Sequence, residues 1–180
     1  ITSRPSDVGK SWDAMTGYRA RIVELAELRE PGGTTVHEVL PDSRSHDEAE
    51  YFATFYAEPV RGMVISDRYL QDQERIVKRL GAHIKLASQQ GALEWVVVKT
   101  KKEGNEQQRA ISQLKSLFPS VTIKIEYGYS MVHDRFIEVT RANNHKSRVI
   151  IGRGLDFIQP DGSVRHTFLV FQDVLDGKLR

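Results

Sequence analysis

The stretch LEWVVVKT (93–100) constrains this chain more than any other. Its apolar character is nearly continuous, as expected of a strand covered on both faces, and such strands belong to sheets flanked by helices. A second apolar strand, VRGMVIS, precedes it at 60–66. Between them, residues 72–90 place Ile76, Val77, Leu80, Ile84 and Leu86 at broadly helical spacing. After it, Asn105 and Gln108 are read as caps of a second helix that buries Ile111, Leu114 and Leu117, and VTIKIEY (121–127) alternates as a strand.

Two strand–helix–strand units are followed by RFIEVT (135–140), the turn ANNHK, SRVIIG (147–152) and HTFLVF (166–171). This order predicts an α/β fold, a mixed β-sheet with helices packed on its faces. Upstream, YRARIVELAEL (18–28) and TTVHEVL (34–40) flank the turn residues Pro31, Gly32 and Gly33 and read as a β-hairpin. In SHDEAEYFATFYA (45–57), Ser45 and Glu48 form a capping box for a helix burying Tyr51, Phe52 and Phe55. Residues 1–17 show no periodicity and read as a flexible lead-in, so a single domain is expected over 18–180, with the hairpin at 18–44.

Composition narrows the function classes. At 180 residues the chain suits one domain with its own core, and 39% hydrophobic with 28% charged residues argues against disorder. Twenty-six Lys and Arg face 24 Asp and Glu, so net charge gives no global attraction to nucleic acid or membrane, and any such affinity must be local. The lack of cysteine excludes disulfides and thiolate metal sites and suits a reducing compartment, so a cytoplasmic location is expected. No apolar run approaches the roughly 20 residues of a membrane helix. The start at Ile1, without a methionine, reads as a domain excised from a larger protein.

Several motifs carry less than they suggest. VGKS (8–11) has Arg4 where a phosphate loop needs glycine, and GRG (152–154) has Phe157 where a dinucleotide fingerprint needs its third glycine. His46 and Glu50 stand four apart, as metal ligands can, but beside Asp47 and Glu48 they read as an acidic helix start. His83 reads as a hydrogen-bonded histidine on an apolar helix. The segment SMVHDRFIEV (130–139) differs: on a strand, His133 and Arg135 share one face and Asp134 takes the other. A base beside a fixed guanidinium suits a phosphodiester, since imidazole can attack phosphorus or carry protons and guanidinium can grip phosphate oxygens. A solvated strand start with a local salt bridge is the competing reading.

VISDRYL (64–70), HDRFIEV (133–139) and IGRGLDF (151–157), in this order and at these separations, resemble the C-terminal domain of MIT-domain proteins over about residues 45–160. The resemblance implies a single phospholipase D-like repeat, a homodimer, and a basic surface for acidic phospholipids. Eukaryotic relatives use the domain in membrane abscission; the MIT helices that recruit the ESCRT machinery are not in this sequence, so that partner is not carried over. A fusion to another domain, such as an ATPase or protease, is expected instead. Phospholipase D enzymes use His-x-Lys-x4-Asp, against which His133 matches, Arg135 replaces lysine and Thr140 replaces the acid, with Glu138 or Asp156 as substitutes.

The resulting expectation is a non-catalytic module. His133, Arg135, Arg153 and Arg148 would bind phosphate, with Asp67, Tyr69, Asp134 and Asp156 in support and neither metal nor cofactor. For Asp67 and Tyr69 a loop-anchoring hydrogen bond is the alternative, and Asp156 serves equally to hold Arg153 or Arg135. Arg141, Lys146 and Arg148, or Lys99, Lys101 and Lys102, would form a basic rim docking the domain peripherally on an anionic membrane. Two further readings stand beside this one. The first is a metal-independent phosphodiesterase or nuclease in which His133 from two subunits completes one site across a two-fold axis, with His133 and Arg135 as its catalytic residues. The second is a protein- or nucleic-acid-targeting domain of a bacterial effector ATPase or protease.

Overall fold

The computed structural model describes residues 33–101, 104–128, 135–175 and 178–179. The expected lead-in, the strand at 18–28, and His133 and Asp134 lie outside the described residues. Strand β1 (Thr35–Val39) is followed by a one-turn helix α1 (Glu48–Phe52) and by β2 (Val60–Ser66). Helix α2 (Gln73–Ser88), β3 (Trp95–Thr100), α3 (Asn105–Leu117) and β4 (Thr122–Tyr127) then form the two parallel crossover units. Four more strands follow: β5 (Phe136–Arg141), β6 (Lys146–Ile151), β7 (Thr167–Leu175) and β8 (Lys178–Leu179). A 3-10 turn at Gly154–Phe157 lies between β6 and β7.

All eight strands join one mixed sheet in the order β1-β7-β6-β5-β2-β3-β4, with β8 folded back on β7. β2 is parallel to β3 on one side and antiparallel to β5 on the other, so the topology reverses at β2. One face of the sheet presents Met63, Ile65, Val98, Ile137, Val149 and Leu169, all buried. Helices α2 and α3 pack against each other and contribute Leu80, Ile84, Ala110 and Leu114 to the same core. Each such Leu or Ile, moved from water to the interior, contributes about 1.5–3 kcal/mol. No helix of the described residues is long and apolar enough to cross a membrane.

Several local readings shift. In β3 burial alternates, with Val96 and Val98 buried and Trp95, Val97 and Lys99 half-exposed. The Trp95 indole lies against the backbone of Gly62 in β2, where any Cβ would overlap the ring. Helix α1 is capped by Asp47, whose side chain accepts from the Glu50 amide, and not by Ser45. Glu48 turns inward instead, to the buried Arg79 of α2, whose second amino group donates to the Gln159 carbonyl. Helix α3 starts at Gly104 without a side-chain cap, and Gln107 points inward to the Leu70 carbonyl. β7 runs past the expected stop because Gln172 and Asp173 pair in register with Arg148 and Ser147 of β6.

Candidate functional site

The strand register decides which motifs meet. Ser66 pairs with Phe136 and Phe136 with Ile150, so the end of β2, the start of β5 and the end of β6 lie at one edge of the sheet. The residues just beyond those pairs are Asp67, Arg135 and Gly152–Asp156, the three segments that carried the family resemblance. In open α/β sheets this region, at a reversal of strand order beyond the ends of the parallel strands, is where ligands bind.

Asp67 is the centre of this edge. It is 4% exposed; its Oδ1 accepts from the Tyr69 amide at 3.0 Å and its Oδ2 from the Leu155 amide at 2.9 Å. Burial raises its pKa, opposed by these two amides and by Arg135. Gly154 is required beside it: its φ is +72°, and a Cβ there would overlap Asp67 Oδ2 and Arg135 Cδ. Both the backbone conformation and the close approach demand glycine.

Arg135 crosses the same space, half-buried. Its guanidinium carbon stands 4.8 Å from the centroid of the Tyr69 ring, and Nη1 reaches the Gly152 carbonyl at 3.4 Å. Its buried Nε has no hydrogen-bond partner among the described residues. Tyr69 is 48% exposed and also faces Arg68, whose guanidinium carbon is 5.1 Å from the ring centroid. Arg153 lies on the far side of the turn, exposed, with its amide on Thr167 Oγ1 at 3.1 Å and its Nε on the His166 carbonyl at 3.0 Å.

Other residues with expected roles are placed differently. Asp156 faces Arg75 of α2 at 3.4 Å, and no contact with Arg153 or Arg135 is seen among the described residues. Arg148 is held by Glu138 across the β5–β6 ladder, through Nε at 3.1 Å and through Nη2, and stacks on Phe136 at 4.4 Å. Glu138 also meets Lys146 at 3.4 Å. Thr140 is buried on β5 opposite Gly62 and Lys146. It lies five residues along the strand from Arg135, about 16 Å at the usual rise.

Arg141 belongs to no rim. It is 7% exposed, donates to the Phe55 carbonyl at 2.7 Å and the Glu58 carbonyl at 3.3 Å, and lies over the Phe55 ring. His46 is buried between Asp42 (2.7 Å) and Glu50 (2.8 Å), with Tyr51 Oη at 2.8 Å from Nδ1. Among the described residues no group of three or more His, Cys, Asp or Glu could hold a metal. Two concavities, of about 450 and 410 Å³, are lined by neither Asp67, Tyr69 nor Arg135.

Arg68 and Gly154 were missed by sequence reasoning. Arg68 stands inside the quoted SDRYL segment, and an arginine between an acid and an aromatic was the signal available.

A family model described as the phospholipase D-like domain at the C-terminus of MIT matches residues 46–173, extending beyond the expected limit to include β7. With the reversing mixed sheet and the three convergent segments, this match defines a phospholipase D-like α/β domain. The chain belongs to the family of MIT C-terminal phospholipase D-like domains. No curated protein matches the sequence. Among solved structures the chain is similar to a polyphosphate kinase from Porphyromonas gingivalis, at 13% identity and a TM-score of 0.46, over 78% of this chain and 23% of that one. It therefore spans less than a quarter of the kinase.

Proposed function

We propose that this domain is a non-catalytic phosphate-binding module that docks anionic, phosphate-bearing surfaces such as acidic phospholipid headgroups, as a homodimer within a larger cytoplasmic protein. The observation that carries the reading is Arg135, a guanidinium at the edge of the sheet where the three segments meet, with its carbon 4.8 Å from the half-exposed Tyr69 ring. Fixed donors and positive charge are enough to bind phosphate, whereas hydrolysis also needs an oriented base and a leaving-group acid.

The carboxylates considered as substitutes for the missing acid are committed elsewhere, Glu138 to Arg148 and Lys146 and Asp156 to Arg75. Asp67 lies inside the site, but both its oxygens accept from backbone amides.

Co-sedimentation with phosphatidylcholine vesicles, with and without acidic lipid, tests the proposal. Binding should require the acidic lipid, fall as salt rises, and be lost in Arg135→Gln with the thermal midpoint unchanged. Hydrolysis of a phosphodiester in chelator, abolished by His133→Ala, would replace this reading with the enzymatic one. Salt-dependent binding to DNA with no affinity for acidic vesicles would replace it with nucleic-acid targeting.

A further inference from the structure

Strand β4 ends the sheet order, and among the described residues its ladder runs to β3 alone. The Thr122 amide donates to the Glu94 carbonyl and the Gly128 amide to the Thr100 carbonyl. Backbone groups alternate in direction along a strand, so Thr122, Lys124 and Glu126 turn theirs toward β3, and Ile123 and Ile125 turn theirs to the outer edge. Such an edge is a template for another strand, and proteins usually blunt it with charge, proline or a bulge. β4 has neither proline nor a register shift against β3. Its charges are Lys124 and Glu126, exposed and of opposite sign, on the face opposite the buried Ile123.

We infer that β4 pairs antiparallel with β4 of a second copy of this chain, across a two-fold axis at Ile125. The inference rests on the homodimer reading above and adds to it the surface and the register. Because Ile125 faces the edge, the two copies exchange both N–H···O bonds there. The pairs on either side, which are not hydrogen-bonded and stand closer, set Lys124 opposite the partner's Glu126 and Glu126 opposite the partner's Lys124. An axis at Lys124 or at Glu126 would face like charges, and one at Ile123 would set Lys124 opposite Thr122, so charge complementarity selects Ile125. Glu126 also meets Lys99 at 3.5 Å, but both side chains are exposed and so weak a pair is readily shared. In this dimer the two Arg135 edges point to opposite ends of the joined sheet, so they stay separate phosphate sites and do not merge into one catalytic centre.

Sedimentation equilibrium of the chain over a concentration series tests the pairing. The wild-type chain should dimerise. Lys124→Glu and Glu126→Lys each set like charges opposite one another at both pairs, and each should weaken dimerisation at least about tenfold. An equimolar mixture of the two variants should recover near wild-type affinity, because the mixed dimer restores both opposite-charge pairs; circular dichroism checks that both variants are folded. Hydrogen exchange at the Ile125 amide should be slow in the wild-type dimer and fast in either variant alone. Unchanged dimerisation in the folded variants, no recovery on mixing, or an Ile125 amide that exchanges freely in the wild-type dimer overturns the inference and leaves a homodimer built on another surface. A wild-type chain that stays monomeric at about 1 mM removes both.

Discussion

The Leu155 amide donates to Asp67 Oδ2 across 2.9 Å, fastening the turn after β6 to the end of β2. The two residues are far apart in sequence, and their bond holds Arg135 and Tyr69 in a common neighbourhood. Asp67→Asn should keep the fold but weaken one of the two amide contacts, since an amide offers one acceptor oxygen where the carboxylate offers two. The cost is about 1–3 kcal/mol. Urea denaturation measures it, and faster hydrogen exchange at the Leu155 amide should accompany it.

Gly154→Ala addresses the same junction from the other side. The left-handed backbone costs a side chain about 1–2 kcal/mol, and the new methyl must displace either Asp67 or Arg135. Affinity for acidic vesicles should therefore fall by more than a variant of equal stability loss elsewhere would show. Unchanged binding in a destabilised Gly154→Ala would mean that the turn does not position Arg135.

Arg135 and Arg148 separate by substitution. Arg148 is engaged by Glu138 and Phe136 on the β5–β6 ladder, so Arg148→Gln should cost about 1 kcal/mol or less of stability and leave phosphate affinity near wild type. Arg135→Gln should do the reverse. Vesicle binding and denaturation of both variants, side by side, decide whether the two arginines divide in this way.

Glu48 and Arg79 form an ion pair almost entirely inside the protein, with side chains 8% and 3% exposed. Removing one partner leaves the other charge buried, so Glu48→Leu should lower stability by about 3–5 kcal/mol. Replacing both, as Glu48→Leu with Arg79→Met, should recover much of that loss. A double-mutant cycle in urea measures the coupling.

Two histidines tilt stability in opposite directions with pH. The hydrogen bond to Asp42, opposed by burial and aided by Glu50, raises the pKa of His46. Its stabilisation is complete below the unfolded value of about 6.5 and is lost as pH rises through the folded value. Burial, with Arg79 nearby, lowers His83 to about 3. The unfolded chain then takes up a proton that the folded one refuses, and stability falls as pH drops from about 6.5 toward 3. Urea midpoints should peak near neutral pH, with His46→Gln flattening the alkaline limb and His83→Leu the acid limb.

Most of the architecture was legible in the sequence. β2, α2, β3, α3, β4 and the β5–β6 hairpin stand within one or two residues of their expected positions, because hydrophobic period and turn chemistry act over neighbouring residues. The cap of α1 was not: Ser45 and Glu48 fit the local pattern, but a buried guanidinium some thirty residues away claimed Glu48. Burial of an unpaired arginine is costlier than loss of one cap, so the tertiary demand prevails.

The three family segments were visible as words, and their order and spacing pointed to the right family. Their meeting at one edge followed only from the antiparallel registers of β5 on β2 and β6 on β5. The division of labour among the charged residues was likewise decided in three dimensions. Residue type alone cannot say which guanidinium a carboxylate will meet: Glu138 took Arg148, Arg75 took Asp156, the fold's interior took Arg141, and Arg135 was left facing an exposed ring. Local chemistry wrote the strands and helices, whereas partner choice depends on distances between segments remote in sequence, which only the folded chain fixes.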